Sequence, residues 1–317
     1  MFNCRYQGGS TLKKAAITSG FILFLSFQAI GQGTTGFEIM RSEISSRGAA
    51  MAGAMVAMET GLDGLFYNPA ALGSAEKRNA NLTYLKHLLD IESGFIGYSQ
   101  PVKDYGTIAA GINYINFGRF DEATAFGELT GNTFRAADLQ FTLGYGKKIL
   151  EWMSAGVSVK YVRSEIWDVT SSAAAFDAGG LIYTPFDNVK IGFGIYNLGK
   201  TLNGYYDYKD ELPLGYKLGF SKPLAHLPLE IALQVEKFKD SDLYLSAGGE
   251  FTISEMFRLR AGWTTKGADQ RVDGNSDVLA GVSFGLGLRT SGVIFDYSMS
   301  SWGELGTLTR VTIGGEF

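Results

Sequence analysis

The sequence predicts an all-β fold: a transmembrane antiparallel β-barrel of about fourteen strands, with a small N-terminal helical plug in its lumen. Three observations predict it. From about Asn79 to Phe317 the chain is a series of alternating apolar and polar runs, the period of a strand whose two faces meet different surroundings. The composition is rich in glycine and aromatics, with 42 Gly, 22 Phe and 16 Tyr against 6 Pro and 2 His. Past its leader the chain holds no apolar stretch of the ~20 residues that a spanning helix needs. Weak alternation in a glycine- and aromatic-rich chain is the pattern of a membrane barrel. The two ends of the chain agree.

At the front, Arg5, Lys13 and Lys14 precede an apolar run over 15–30, which ends in Ala29-Ile30-Gly31. This is the layout of a secretory signal peptide, so 1–31 is expected to be cleaved before Gln32. Cys4 is the single cysteine and leaves with the signal. The mature chain then has neither disulfides, zinc–thiolate sites nor a thiol nucleophile. Loss of the three basic residues takes the net charge from −4 to −7, which argues against a nucleic-acid partner. At the far end Thr309, Val311, Ile313, Gly315 and Phe317 share one face of the last strand. A terminal aromatic on such a strand resembles the C-terminal signal of bacterial outer-membrane barrels. It implies export to the outer membrane, with the barrel-assembly machinery and membrane lipid as partners.

Between leader and barrel lies 32–76, expected to be the plug. Its core, 37–73, is rich in alanine and methionine, which favour helix, but Gly48 and Gly53 each cost up to ~1 kcal/mol in a helix interior. Short, broken helices are expected. Asn68 is placed to cap a turn, with Pro69 in the first helical position, where its missing N–H costs nothing. Phe66, Tyr67, Asn68, Pro69 and Ala70 are the candidate plug or gating residues.

The barrel, 77–317, reads as strands near 79–86, 91–100, 105–117, 134–146, 152–163, 173–184, 189–198, 212–221, 228–238, 242–251, 256–265, 277–288, 292–300 and 306–317. In each, the apolar set faces lipid and the polar set faces the lumen. Asp138, Lys160, Asp177, Glu230, Glu236, Arg258, Arg260, Asp296 and Arg310 are the expected lumen charges. They pair with one another, the plug or water, because a buried unpaired charge is costly. Trp152, Trp263 and Trp302 fall near strand ends as an aromatic girdle does, whereas Trp167 falls in a loop. Connections alternate between short turns and long loops, the long ones at 118–133, 164–172, 200–211 and 266–276. Short turns belong to the periplasm, which places both mature termini there.

Little in the chain suggests catalysis. The two histidines, His87 and His226, fall in connections at opposite ends of the barrel, and no cluster has metal-ligand spacing. No catalytic residue, metal or cofactor is expected. The oxygen-rich loop 269–277 lacks the spacing of a standard calcium site and reads as a solvated turn. Tyr205, Tyr206 and Tyr208 cluster in a long loop, either as upper girdle or as a contact surface.

Several motifs add a resemblance. Arg47-Gly48-Ala49-Ala50-Met51-Ala52-Gly53-Ala54 followed by Tyr67-Asn68-Pro69-Ala70-Ala71-Leu72 resembles the opening of the PorV/PorQ family, related to the FadL-type channels for hydrophobic compounds. Phe176-Asp177-Ala178-Gly179-Gly180, Tyr196-Asn197-Leu198-Gly199 and Phe295-Asp296-Tyr297-Ser298 continue the match in order. The chain departs from the family at Glu59-Thr60 and at Ala71-Leu72. The PorV/PorQ resemblance implies a role in type IX secretion, with translocon components or exported proteins as partners. The FadL side implies uptake of hydrophobic small molecules through a plug-gated path. A structural barrel without cargo is the third reading.

Overall fold

The computed structural model describes residues 35–87, 91–124, 126–206, 208–270, 279–303 and 306–317. The expected signal segment and most of the oxygen-rich loop lie outside the described residues.

Fourteen antiparallel strands form a closed barrel. They are β1 (Asn79–Lys86), β2 (Glu92–Val102), β3 (Gly106–Ala123), β4 (Leu129–Leu150), β5 (Met153–Ile166), β6 (Val169–Tyr183) and β7 (Lys190–Asn203), then β8 (Gly215–Pro223), β9 (Leu229–Phe238), β10 (Leu243–Thr252), β11 (Phe257–Thr264), β12 (Val282–Thr290), β13 (Val293–Ser301) and β14 (Thr307–Glu316). Each pairs with its sequence neighbours, and β1 closes against β14 from Asn79↔Glu316 to Lys86↔Thr309. Closure pairs every strand on both sides through the body of the wall, the condition for a sheet in hydrocarbon. Side chains alternate as the pleat requires: Leu143, Val159 and Phe284 are exposed outward, while Thr142, Lys160 and Ser283 are buried inward.

The wall is uneven. β4 has 22 residues and β11 has eight. The extra length of β3–β7 rises at the end away from Phe317, called here the mouth; the opposite end is the floor. The stretch 118–133, expected as a long loop, is therefore a bulged hairpin, and 164–172 is a tight turn with Trp167 at φ 58°. The difference has a physical cause. Alternation reports lipid on one face, and it stops at the membrane edge even where strand pairing continues into water.

One bulge sets the faces of the raised hairpin. Pairing steps from Asn116↔Ala137 to Arg119↔Arg135, so β3 spends one residue more than β4. Gly118 supplies the left-handed φ of 89° that the bulge needs, and its N–H donates to Asn116 Oδ1 at 3.1 Å. An extra residue flips every later side chain. Phe120 therefore turns to the lumen side opposite Phe134, and Arg119 turns outward opposite Arg135.

The segment ahead of β1 crosses the lumen once, from mouth to floor. Gly36 N–H donates to Glu211 O at 3.1 Å in the β7–β8 connection, at the mouth, whereas Arg78 pairs with Phe317 at the floor. Thr35, the first described residue, lies at the mouth, whereas Phe317 lies at the floor. Strand parity locates only the start of β1 and the end of β14, and the plug adds one further crossing. As expected the helices are short: α1 (Ser46–Ala50) and α2 (Gly64–Tyr67), with 3₁₀ turns at Glu38–Arg41, Gly61–Asp63 and Pro69–Ser74. Ser45 caps α1 by accepting from Gly48 N–H at 3.0 Å, and Ala52 and Gly53 break it with positive φ.

Candidate functional site: the plugged lumen

Irregular backbone survives at membrane depth only where protein satisfies its polar groups, and the wall does so at each level of the plug. Thr312 Oγ1 accepts from Ser46 N–H at 3.1 Å, Gln234 Oε1 accepts from Val56 N–H at 3.0 Å, and Ser221 Oγ donates to Ala57 O at 2.9 Å. Midway down, Tyr196 OH donates to Tyr67 O at 2.6 Å. Asn68, fully buried, accepts from Ala70 N–H at 3.1 Å as the cap that its position predicts. Its amide donates to Val56 O at 2.6 Å and to Gly180 O at 3.1 Å. Pro69 and Ala70 are buried behind it, and Phe66 meets Phe95 edge to face at 5.0 Å.

Close approach depends on wall glycines. A Cβ on Gly156 would overlap Pro69, and one on Gly179 would overlap Asn68 Oδ1. On the other side, Gly248 and Gly262 receive Met51, and Gly285 receives Ala50.

Ion pairs fasten the plug. Arg41 bonds Asp240 at 2.9 Å, Arg47 bonds Glu250 at 2.9 Å, and Glu59 bonds Lys190 at 3.1 Å. The sequence-predicted lumen charges join these networks or stand beside them. Arg260 bridges Glu250 at 2.6 Å and Asp296 at 2.5 Å. Glu236 lies between Lys266 at 2.6 Å and Lys217 at 3.3 Å. Lys190 also meets Glu230 at 3.1 Å. Lys160 and Asp177 pair at 2.7 Å, and Asp177 also accepts from Asn197 N–H at 2.8 Å, where β6 and β7 bulge. Asp138 accepts from Ser164, and Arg310 donates to Glu43 O at 3.3 Å. Arg258 turns into the lumen without a hydrogen bond from its Nε.

Sequence reading missed Arg47, Lys190, Lys217, Glu250 and Lys266 as members of these networks. Glu250 carried a usable signal, since it shares inward parity with Ser246 and Gly248 on β10. In the plug, burial pushes the Asp63 carboxyl up to about 6 despite Arg47 beside it. Above β1, burial and then Arg310 bring His87 down to about 4; its ring meets Ser93 Oγ at 3.0 Å.

The lumen has three levels. At the mouth Phe120 stacks on Phe134 at 5.4 Å, and Phe134 stacks on Trp167 at 6.1 Å. Phe120 is 43 % and Trp167 61 % exposed, so a row of aromatic faces stands open on the lumen side of the raised wall. Beneath, plug residues Phe37, Ile39 and Met40 close an apolar cluster with Ile115, Val162 and Leu212. A cavity of about 20 Å³ beside Tyr67, Gln140 and Lys160 has room for about one water. At the floor a polar vestibule of about 680 Å³ opens among Arg47, Asp63, Arg258, Arg289 and Asp296.

Tyr206 and Tyr208 are 83 % and 66 % exposed in the β7–β8 connection, while Tyr205 OH reaches Ser164 Oγ at 2.6 Å. Phe317 stands beside Tyr98 at the β1–β14 seam, ring centroids 6.5 Å apart. Among the described residues no group of His, Cys, Asp and Glu is arranged to hold a metal.

No protein-family model matches the chain, and no curated protein matches it in sequence. Solved structures do match in fold. The toluene transporter TodX of Pseudomonas putida is similar with a TM-score of 0.61 at 12 % identity, over 87 % of this chain and 97 % of that one. The monoaromatic hydrocarbon channel CymD gives 0.60 at 11 % identity, over 86 % and 97 %. A Pseudomonas aeruginosa FadL homologue gives 0.57 at 12 % identity, over 86 % and 98 %. At such identities the likeness is one of fold alone, shared with these solved outer-membrane barrels.

Proposed function

We propose that this barrel is an outer-membrane uptake channel for hydrophobic small molecules, gated by its plug. The observation that carries it is the aromatic row Phe120–Phe134–Trp167 standing directly above the buried apolar cluster of the plug. An open row of π faces suits apolar and aromatic solutes, with a stacked pair worth ~0.5–1.5 kcal/mol beyond burial. A water-filled pore would not need it. The lumen below is filled, so passage requires Phe66–Ala70 and the rest of the plug to shift. The neighbours in fold named as a toluene transporter and a monoaromatic hydrocarbon channel support the same reading.

The reading is tested by uptake of a radiolabelled monoaromatic hydrocarbon into cells that express the barrel, with Phe120→Ala/Trp167→Ala alongside. Slower uptake by the variant at equal surface level supports it, and equal uptake overturns it. The type IX secretion role implied by the PorV/PorQ resemblance receives no support from the neighbours in fold. Exposed Tyr206 and Tyr208 are the feature that would serve it, and co-purification of surface proteins lost in Tyr206→Ser/Tyr208→Ser is the outcome it requires.

A further inference from the structure

We infer that Arg119 and Arg135 form a docking point for the phosphate of an anionic lipid in the leaflet at the mouth end, with its acyl chains lying on the outer wall of β3–β5.

The two arginines are direct cross-strand partners on the outer face of the raised hairpin. Like charges placed directly opposite in a sheet are destabilising. Here the arrangement is built in, because the bulge at Gly118 is what turns Arg119 outward; in unbroken register it would face the lumen. Among the described residues neither guanidinium has an ion pair, and both are exposed. The third arginine of this face, Arg163, already has Glu165 at 3.5 Å. Asp121, the nearest acid along β3, sits one same-face step further from the membrane.

Their height matches a headgroup. Below Arg135 the outward positions of β4 are Ala137, Leu139, Phe141, Leu143 and Tyr145, flanked on the neighbouring strands by Tyr114 and Tyr161. This apolar run has the ~9–11 residues that a tilted strand needs to cross hydrocarbon, so Arg135 stands at its upper rim. Two guanidiniums on directly opposed residues offer N–H forks of the kind that suits a phosphate. A phosphate there also neutralises the opposed pair.

The test is native mass spectrometry of the detergent-purified, full-length mature barrel incubated with phosphatidylglycerol or, in parallel, uncharged diacylglycerol. Wild type is expected to retain phosphatidylglycerol about tenfold better than Arg119→Gln/Arg135→Gln, a loss of ~1.4 kcal/mol, while diacylglycerol is retained equally by both. Arg163→Gln removes the same type of charge from the paired site and is expected to keep the lipid. Heat-dependent gel mobility verifies that each barrel is folded, and Arg135→Gln alone replaces the double variant if the latter misfolds. Equal retention of phosphatidylglycerol by the variant overturns the inference. So does displacement of the lipid by excess inorganic phosphate, which identifies a free-anion site.

Discussion

The side-chain amide of Asn68 donates to the carbonyl of Gly180 at 3.1 Å, and this contact joins two motifs that lie far apart in the chain. Asn68-Pro69-Ala70 is the plug turn, and Phe176-Asp177-Ala178-Gly179-Gly180 is a stretch of β6. Gly179 leaves room for the Asn68 carbonyl, Gly180 accepts the amide, and Asp177 holds the neighbouring bulge of β7 through Asn197.

Asn68→Ala is expected to loosen the plug while leaving the barrel closed. It strands the Ala70 N–H and the Val56 and Gly180 carbonyls in a buried site, and one such group costs ~1–3 kcal/mol. Higher single-channel conductance in planar bilayers is the expected result. Wild-type conductance would show that the turn does not hold the gate.

Gly156→Val tests the same contact from the wall side. The new Cβ overlaps Pro69, and overpacking of this kind costs ~1–3 kcal/mol. The plug is expected to become sensitive to limited proteolysis while the strands stay protected. A protease-resistant plug would contradict the close packing described.

Arg47→Ala removes one of two arginines that share Glu250. The expected loss is ~3 kcal/mol, the scale for breaking a buried pair, read as a lower unfolding temperature. Arg47→Met/Glu250→Met is expected to recover part of that loss, because both charges leave together. A double variant no better than the single would show that geometry rather than charge is at stake.

The plug is expected to be held more firmly in acid. Burial raises the Asp63 carboxyl to about 6 in the folded protein, against ~3.9 in an unfolded chain. The folded state therefore binds more protons between these values, and stability from this group falls as pH rises through that window. Asp63→Asn should flatten the slope in hydrogen exchange of the plug between pH 4 and about 6. An unchanged slope would assign it to another group.

Gly118→Val is expected to return the raised hairpin to unbroken pairing, because a β-branched residue resists the left-handed φ of 89° that the bulge requires. Phe120 would then face outward, and the aromatic stack with Phe134 would be lost. Quenching of Trp167 fluorescence by an apolar aromatic added at the mouth should weaken in that variant. Undiminished quenching would separate the bulge from the aromatic row.

The number of strands, and the face on which each residue of a membrane-crossing stretch lies, were legible in the sequence alone. Lipid imposes a two-residue period on every membrane-crossing stretch, so Leu139, Phe141 and Leu143 declare their side without reference to any partner. The cap at Asn68 was legible there too, because capping is local to a few residues. The height of the raised wall was hidden, since residues such as Arg119 and Thr133 have water on both faces and carry no period. The tertiary structure alone decided the direction of the plug and the partners of its charges. Arg47 and Glu250 meet across 203 residues of chain, and such a pairing is settled by barrel closure and the path through the lumen. Neither leaves a mark on local sequence.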